Sequence, residues 1–458
     1  MEAVQKKKVG TDLTQGVIWK VLIAFAGPIV LANVIQQLYS MVDVMVIGQF
    51  VGPEGTVGVT TGGEMADFMT PVATALATAG QIFIAQLVGA KKMDKAKRSI
   101  GTLFTISMVS SVILAALCII FCVPILNALN CPAEAMGQAE AYMIITSLGF
   151  PFIFGYNAVC GVLRGMGEAK KPLLFVSVAA TVNIFADLLL DVVFPLQAAG
   201  TAIATILSQL GSFLAAFYFL YKNKESFDFE LKLSYFKVDK DAALTIIKLS
   251  IPQLARSTMV RFGMLWVNAQ VNSYGLVFSA TNSVGNKLQK FLEAFMQGVD
   301  TAAAAMIGQN LGAKNTERAK KTVWNTFIIV MIIAAICSVL SLSFPRLMFR
   351  LFTKDEEVIE LGVTYLRIMV LHFFCSAFVG SFQSMVNGCG FVELGFGIGI
   401  LDGLVCKIGF SILFMALGFG GLSMWWGTAI SRFLPGCLTL GYFLSNKWAT
   451  RKLLSEKK

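Results

Sequence analysis

Charge is scarce in this chain. Asp, Glu, Lys and Arg make up 14% of its 458 residues, against about 25% in an ordinary soluble domain. Histidine is scarcer still: His372 is the only one, which leaves no room for histidine-based metal or nucleophilic chemistry. The nine cysteines show no C-x-x-C spacing. Cys118, Cys122, Cys337, Cys375 and Cys406 lie within apolar runs and read as small hydrophobes, not as disulfide partners or ligands. Also missing are HExxH, GxSxG, a Walker phosphate loop and any His/Asp cluster. No enzyme chemistry and no cofactor is therefore expected. Met1 to Lys20 is polar and lysine-bearing and lacks an apolar core ahead of a small-residue cleavage site, so no signal peptide is expected either.

What the chain has in abundance is apolar length. Hydrophobic residues make up 56% of it. They recur in continuous windows of twenty or more, each long enough to cross about 30 Å of hydrocarbon as a helix. Continuous rather than alternating runs exclude a membrane β-barrel. The fold class expected is all-α and polytopic. Twelve transmembrane helices fall near 17–50, 56–88, 99–126, 139–164, 172–194, 198–221, 244–273, 276–311, 322–346, 358–386, 391–417 and 421–445. Lys and Arg concentrate at the N-terminus, in the 89–98, 164–171, 222–243 and 312–321 connections, and at the C-terminus. Of the alternate connections only 346–357 contains any, with Arg346, Arg350 and Lys354. By the positive-inside rule both termini are cytoplasmic. The basic excess, 37 residues against 27 acidic ones, is thus orientation and does not indicate a nucleic-acid partner.

One stretch is written twice. IAQLVGAKKMDKAKRSI (Ile84 to Ile100) returns as IGQNLGAKNTERAKKTV (Ile307 to Val323), offset by 223 residues, with seven of 17 positions identical. Each copy ends the second span of a six-span half, and Gly89 or Gly312 is expected to stop that helix. Pro28 and Pro252, and RGMG at Arg164 and NGCG at Asn387, keep nearly the same offset. An even number of spans per unit makes the halves parallel repeats about an axis along the membrane normal, with a cleft between them suited to alternating access. The expected lobes are 1–221 and 244–458, joined by the charged cytoplasmic linker 222–243.

Several segments together carry a family resemblance. They are GPIVLANVIQQLYSMVDVMVIGQFVG (Gly27 to Gly52), the two Q-x-x-G-A-K segments, LRGMGEAKKP (Leu163 to Pro172), and NIFAD followed by GTAIAT. Over nearly its whole length the chain resembles the multidrug and toxic compound extrusion (MATE) family. That resemblance implies a secondary antiporter of the cell (inner) membrane exporting organic, often cationic, compounds in exchange for H+ or Na+. The implied partners are small organic cations and the lipid bilayer, and a monomer is expected. The wider superfamily contains lipid-linked oligosaccharide flippases, which tend to have additional helices; that function is the alternative. In the other main branch of the family, acids on the seventh helix are prominent. The span 244–273 has none and carries Arg256 and Arg261. This puts the chain nearer the DinF-like branch, with coupling in the N-terminal lobe. Glu293, Asp300 and Asp402 are left without an assigned role, and Asp402 with Lys407 reads as a local structural pair.

Intramembrane polar residues supply the candidate sites. A carboxylate at mid-bilayer costs about 2.5–3.5 kcal/mol on insertion scales, so Asp43 should face a cavity or a hydrogen-bonding neighbour. Gln36, Tyr39, Ser40 and Asp43 fall within about 100° of arc on one helix face, and Asp43 matches the family's first-helix aspartate. Asn183 and Asp187 stand one turn apart, with Asp191 a turn further on, where it is expected at the outer interface. Asn183 and Asp187 match the family's Asn-x-x-x-Asp, and Thr205 matches its sixth-helix threonine. The oxygens of Asp43, Asn183 and Asp187 could take up protons or hold Na+. Pro28 and Pro252 each remove a helix hydrogen bond; each is a hinge candidate or a static kink. The repeat offset pairs Glu64 with Lys287 and Asp67 with Lys290. These opposite charges at equivalent positions are a candidate inter-lobe gate, the other reading being a Lys290–Glu293 pair within one helix.

The orientation can be checked chemically. A membrane-impermeant thiol reagent applied from outside is expected to label native Cys131, in the 127–138 connection, and to miss cysteines introduced into 222–243. Labelling of the linker from outside would reverse the topology.

Overall fold

A computed structural model of the chain describes residues 11–46, 52–194, 196–223, 237–450 and 453–454. Helices make up nearly all of it, with no strand among the described residues. In lipid this is forced, because each backbone donor and acceptor must be satisfied within its own segment. We number the twelve spans in chain order. They begin with α1 (Ile18–Val46), α2 (Gly52–Gly89), α3 (Met93–Ile120) and α4, which is formed by Met136–Leu148 and Phe150–Gly165. Next come α5 (Lys170–Asp187), running on into a π-helical turn Leu188–Val193, and α6 (Gln197–Lys222). The second series is α7 (Lys240–Asn272), α8 (Leu276–Gly312), α9 (Thr316–Ser343) and α10 (Glu356–Cys389). It closes with α11, in which a π-helical turn Leu401–Cys406 separates Val392–Ile400 from Lys407–Ala416, and α12, formed by Ser423–Ile430 and Phe433–Leu444. All twelve expected spans are present.

Eight of these helices are long and apolar enough to cross a membrane alone, and α4, bent by 43° at its break, makes nine. The chain is a multi-pass membrane protein. Several interruptions come just ahead of a proline. Pro151 opens the second piece of α4 and Pro345 a short helix, Pro345–Arg350, after α9. At such a position the missing N–H has no acceptor to lose.

Two compact units emerge. One is built on Ile35–Ser250 together with the chain up to Asp12, the other on Leu13–Val34 and the chain from Ile251 onward. We call them unit 1 and unit 2. Residues 13–34 group with the second half of the chain and 240–250 with the first.

The second copy of the duplicated segment anchors the chain ahead of α1. In unit 2, Gln309 Oε1 accepts from Leu13 N at 3.3 Å and Asn310 Nδ2 donates to Leu13 O at 3.1 Å. Arg318 donates to the carbonyls of Gly16 (2.7 Å) and Gln15 (2.6 Å). The turn after α8 thereby fixes the chain entering α1. In unit 1, Thr102 Oγ1 on α3 accepts from Asp239 N at 3.1 Å, just ahead of α7. Helices α2 and α8 do end at Gly89 and Gly312, but the left-handed residue that turns the chain is a lysine. Lys91 (φ 57°) and Lys314 (φ 60°) occupy it in the two copies. Lys92 N bonds to Leu87 O and Lys91 N to Val88 O, a pattern that Asn315 and Lys314 repeat on Asn310 and Leu311. This is the Schellman arrangement.

Packing repeats as well. A methyl group at Gly165 on α4 would lie 2.8 Å from the Gln81 carbonyl oxygen of α2. At Gly388 on α10 it would lie 3.0 Å from the Ala304 carbonyl of α8 and 2.8 Å from the Ile307 side chain. Both glycine and partner are displaced by 223 residues. These backbones approach as closely as they do because no side chain intervenes. Gly165→Leu or Gly388→Leu is expected to cost about 1–3 kcal/mol through overpacking, read as a lowered melting temperature of the detergent-purified protein. The two variants should lose comparable amounts.

Candidate functional site

In unit 1 the candidate polar groups converge on α5. Asn183 is 3% exposed, Asp187 1% and Asp191 3%, at successive helical turns. Asp191 follows Asp187 in the π-helical turn. It is buried against α6, where Thr201 Oγ1 donates to its Oδ2 at 2.8 Å. Gly200 leaves room for the other carboxylate oxygen, since a Cβ there would collide with it. Asn183 Oδ1 and Asp191 Oδ1 have no hydrogen-bond partner among the described residues. Buried polar oxygens are normally satisfied, so this row is prepared to accept something further. Thr205 is half-buried one turn beyond Thr201, Tyr39 is half-buried on α1, and Gln36 is exposed. Asp43 lies within the backbone of α1, but its side chain falls outside the described residues. Hard oxygen donors of this kind suit a proton or a hard cation such as Na+. Among the described residues no group of three or more His, Cys, Asp or Glu is placed to hold a metal ion.

Glu64 is half-buried and Asp67 exposed on α2, in unit 1; Lys287 is half-buried and Lys290 exposed on α8, in unit 2. Pro28 and Pro252 lie inside helices that continue through them.

Unit 2 contains a polar cluster that no motif announced. Glu293, 5% exposed on α8, does not pair with Lys290. Its Oε1 accepts from Arg432 Nη1 at 2.8 Å, from Ser376 Oγ at 3.2 Å, and lies 2.6 Å from His372 Nε2. Arg432 occupies the break in α12, between Ile430 and Phe433. Its Nη1 also reaches Ser376 Oγ at 2.5 Å, and its Nε lies 3.7 Å from Asp402 Oδ2. Asp402 thus has Arg432 beside it as well as Lys407, which also lies within its electrostatic reach. Arg256 on α7 lies within electrostatic reach of Asp402 and Asp300. The network continues through amides: Gln289 meets His372 Nε2 at 2.8 Å and accepts from Tyr365 OH at 3.0 Å. Trp425 Nε1 donates to Asn282 Oδ1 at 3.1 Å, and Asn282 Nδ2 to Asn268 Oδ1 at 2.9 Å. Helices α7, α8, α10, α11 and α12 all contribute. The available sequence signal was the excess of intramembrane charge on α8, α11 and α12; what it could not convey was the pairing.

A family model described as MatE matches the chain twice, over residues 28–189 and 252–417. The Bacillus subtilis "probable multidrug resistance protein YpnP" is 26% identical over 452 residues, covering 97% of this chain and 99% of the relative. "Probable multidrug resistance protein NorM" of Thermotoga maritima is 24% identical over 449 residues, covering 96% and 95%. Among solved structures, "Outward-facing conformation of a multidrug resistance MATE family transporter of the MOP superfamily" superposes with a TM-score of 0.89 at 20% identity, covering 96% of this chain and 98% of that one. "Crystal structure of MATE in complex with MaL6" gives 0.91 at 19% identity, with the same coverage. At such identities the structural likeness carries the twelve-helix fold alone.

The cluster in unit 2 generates a stability prediction. Arg432→Met removes the cation from a buried carboxylate and is expected to cost about 3–5 kcal/mol. The apparent melting temperature of the purified protein should fall sharply, and Glu293→Gln in the same chain should recover more than half of the fall. No recovery would mean that the two side chains stabilise the unit independently.

Proposed function

This chain belongs to the MatE family, and on that premise we propose that it is a secondary antiporter. It exports organic, cationic compounds in exchange for H+ or Na+ by alternating access between its two lobes, 1–221 and 244–458, joined through 222–243. The observation that carries the reading is the buried row Asn183, Asp187, Asp191 on α5, in which Asn183 and Asp191 each keep an oxygen without a hydrogen-bond partner among the described residues. A membrane-embedded carboxylate that accepts either a proton or a cation gives the exchange its stoichiometric logic: release of one licenses binding of the other. In this reading Asp43, Asn183 and Asp187 hold the coupling ion. Thr205, Gln36 and Tyr39 line the substrate path beside them. The multidrug resistance names of the relatives from Bacillus subtilis and Thermotoga maritima support drug export as the task.

The remaining assignments follow the same scheme. Glu64 and Asp67 close the external side against Lys287 and Lys290 while both partners are charged. Pro28 and Pro252, each inside the first helix of a half, weaken those helices where bending is needed. The protein works as a monomer in the cell (inner) membrane with both termini cytoplasmic.

Efflux of a fluorescent organic cation from vesicles, under separately imposed H+ and Na+ gradients, tests the reading. Gradient-driven efflux is expected from the parent chain and a loss of at least about tenfold from Asp43→Asn and from Asp187→Asn, with normal membrane insertion. Such a loss corresponds to about 1.4 kcal/mol or more. Efflux unchanged in both variants would move coupling elsewhere. Indifference to small cations, with movement of a lipid-linked oligosaccharide, would establish the flippase alternative.

A further inference from the structure

We propose that unit 2 contains a proton-binding site of its own, formed by His372 and Glu293, in which the ring is held as an imidazolium against an ionised carboxylate. The argument is a count of donors and acceptors and is independent of the ion site assigned to α5. Three groups point at the same oxygen, Oε1 of Glu293: Arg432 Nη1 at 2.8 Å, Ser376 Oγ at 3.2 Å and His372 Nε2 at 2.6 Å. Convergence of donors on one oxygen, with a guanidinium among them, is the environment of a carboxylate and not of a carboxylic acid. An ionised carboxylate only accepts, so Nε2 must carry hydrogen. On the other side of the ring, Nδ1 lies 3.2 Å from the backbone oxygen of Thr428. A backbone carbonyl also only accepts, so Nδ1 must carry hydrogen too. A neutral imidazole has one N–H. This one needs two.

The amide of Gln289 stands with its nitrogen 2.8 Å from Nε2 and its oxygen accepting from Tyr365 OH; the imidazolium requires the two ends of that amide exchanged. Turned with its oxygen to the ring, it shares the Nε2 hydrogen and directs its NH2 at Tyr365. The phenol then donates to Asn286 Oδ1, 3.3 Å away.

The charged and titratable groups around the pair come from every helix packed on it. They are Glu293 and Asp300 from α8, Cys337 from α9, Tyr365 and Cys375 from α10, Asp402 and Lys407 from α11, Arg432 and Cys437 from α12, and Arg256 from α7. With His372 1% exposed, exchange of the proton with bulk solvent requires the cluster to open.

The site has a mechanical consequence. Glu293 belongs to α8, His372 to α10 and Thr428 to α12. The doubly protonated ring ties all three. A neutral ring can serve only one oxygen and turns a lone pair towards the other, so loss of the proton removes one of the ring's two ties and leaves Ser376 and Arg432 to hold the three helices. Unit 2 thereby has a proton-dependent connection separate from the α5 row.

Because His372 is the only histidine, 15N-histidine labelling of the full-length protein in nanodiscs yields one ring to observe. Over a series from about pH 6 to 8, where histidine protonation is ordinarily in play, both ring nitrogens of the parent protein are expected to be protonated. At the same pH, Glu293→Gln should return the ring to a neutral, single-tautomer form, whereas Glu293→Asp, which keeps the charge, should retain two N–H groups. A parent ring with a bare Nε2 or a bare Nδ1 throughout the series overturns the proposal, and that spectrum decides even if Glu293→Gln does not fold. A doubly protonated ring in Glu293→Gln overturns it as well.

Discussion

A carboxylate removed from water keeps its charge only where donors reach it, and Arg432 is the donor that allows Glu293 to remain inside unit 2. Much of the local architecture follows from delivering that guanidinium. Arg432 occupies a break in α12, where the helix path is interrupted between Ile430 and Phe433. From there it bonds Ser376 on α10 and lies 3.7 Å from Asp402 on α11. The π-helical turn Leu401–Cys406 that contains Asp402 widens α11 by one residue at this point, a departure from regular geometry that is uncommon outside functional or strained positions. One ion pair thus fixes the register of four helices.

Unit 1 meets the same constraint differently. Its α5 also ends in a π-helical turn containing a buried aspartate, but the partner there is a hydroxyl, Thr201, and not a cation. A neutral hydrogen bond to one oxygen does not offset burial of a full charge. The adjacent Asn183 likewise has an oxygen in reserve. A group left short of donors is poised to gain a proton or a cation, while a group saturated by an arginine is poised to hold helices together. The contrast supports the exchange proposed at α5 and leaves cohesion to the Arg432–Glu293 pair.

These opposed chemistries rest on one duplicated frame. Gly165 and Gly388 bring α4 onto α2 and α10 onto α8 by equivalent contacts, and Lys91 and Lys314 turn the chain with the same left-handed geometry. Backbone approach and chain reversal are unforgiving of side-chain volume and φ, so duplication preserved them. Polar side chains within the bundles are constrained only by whether some partner exists, and there the halves diverged.

That difference decides what could be read in advance. The twelve spans were legible because lipid permits few alternatives to a helix, and Asn183 and Asp187 because a one-turn spacing is a local property. The helix breaks were half legible: Pro151 and Pro345 mark them, yet an unbroken apolar run conceals them from any count of hydrophobic residues. The lysine at each left-handed turn was hidden by a neighbouring glycine that suggested itself for the role. Most distant of all was the Glu293 cluster, whose members lie 79 and 139 residues apart. Nothing local to His372 indicates a carboxylate, and a solitary histidine reads as the absence of chemistry. The imidazolium proposed for it rests on an oxygen at each ring nitrogen, which is a property of three helices at once.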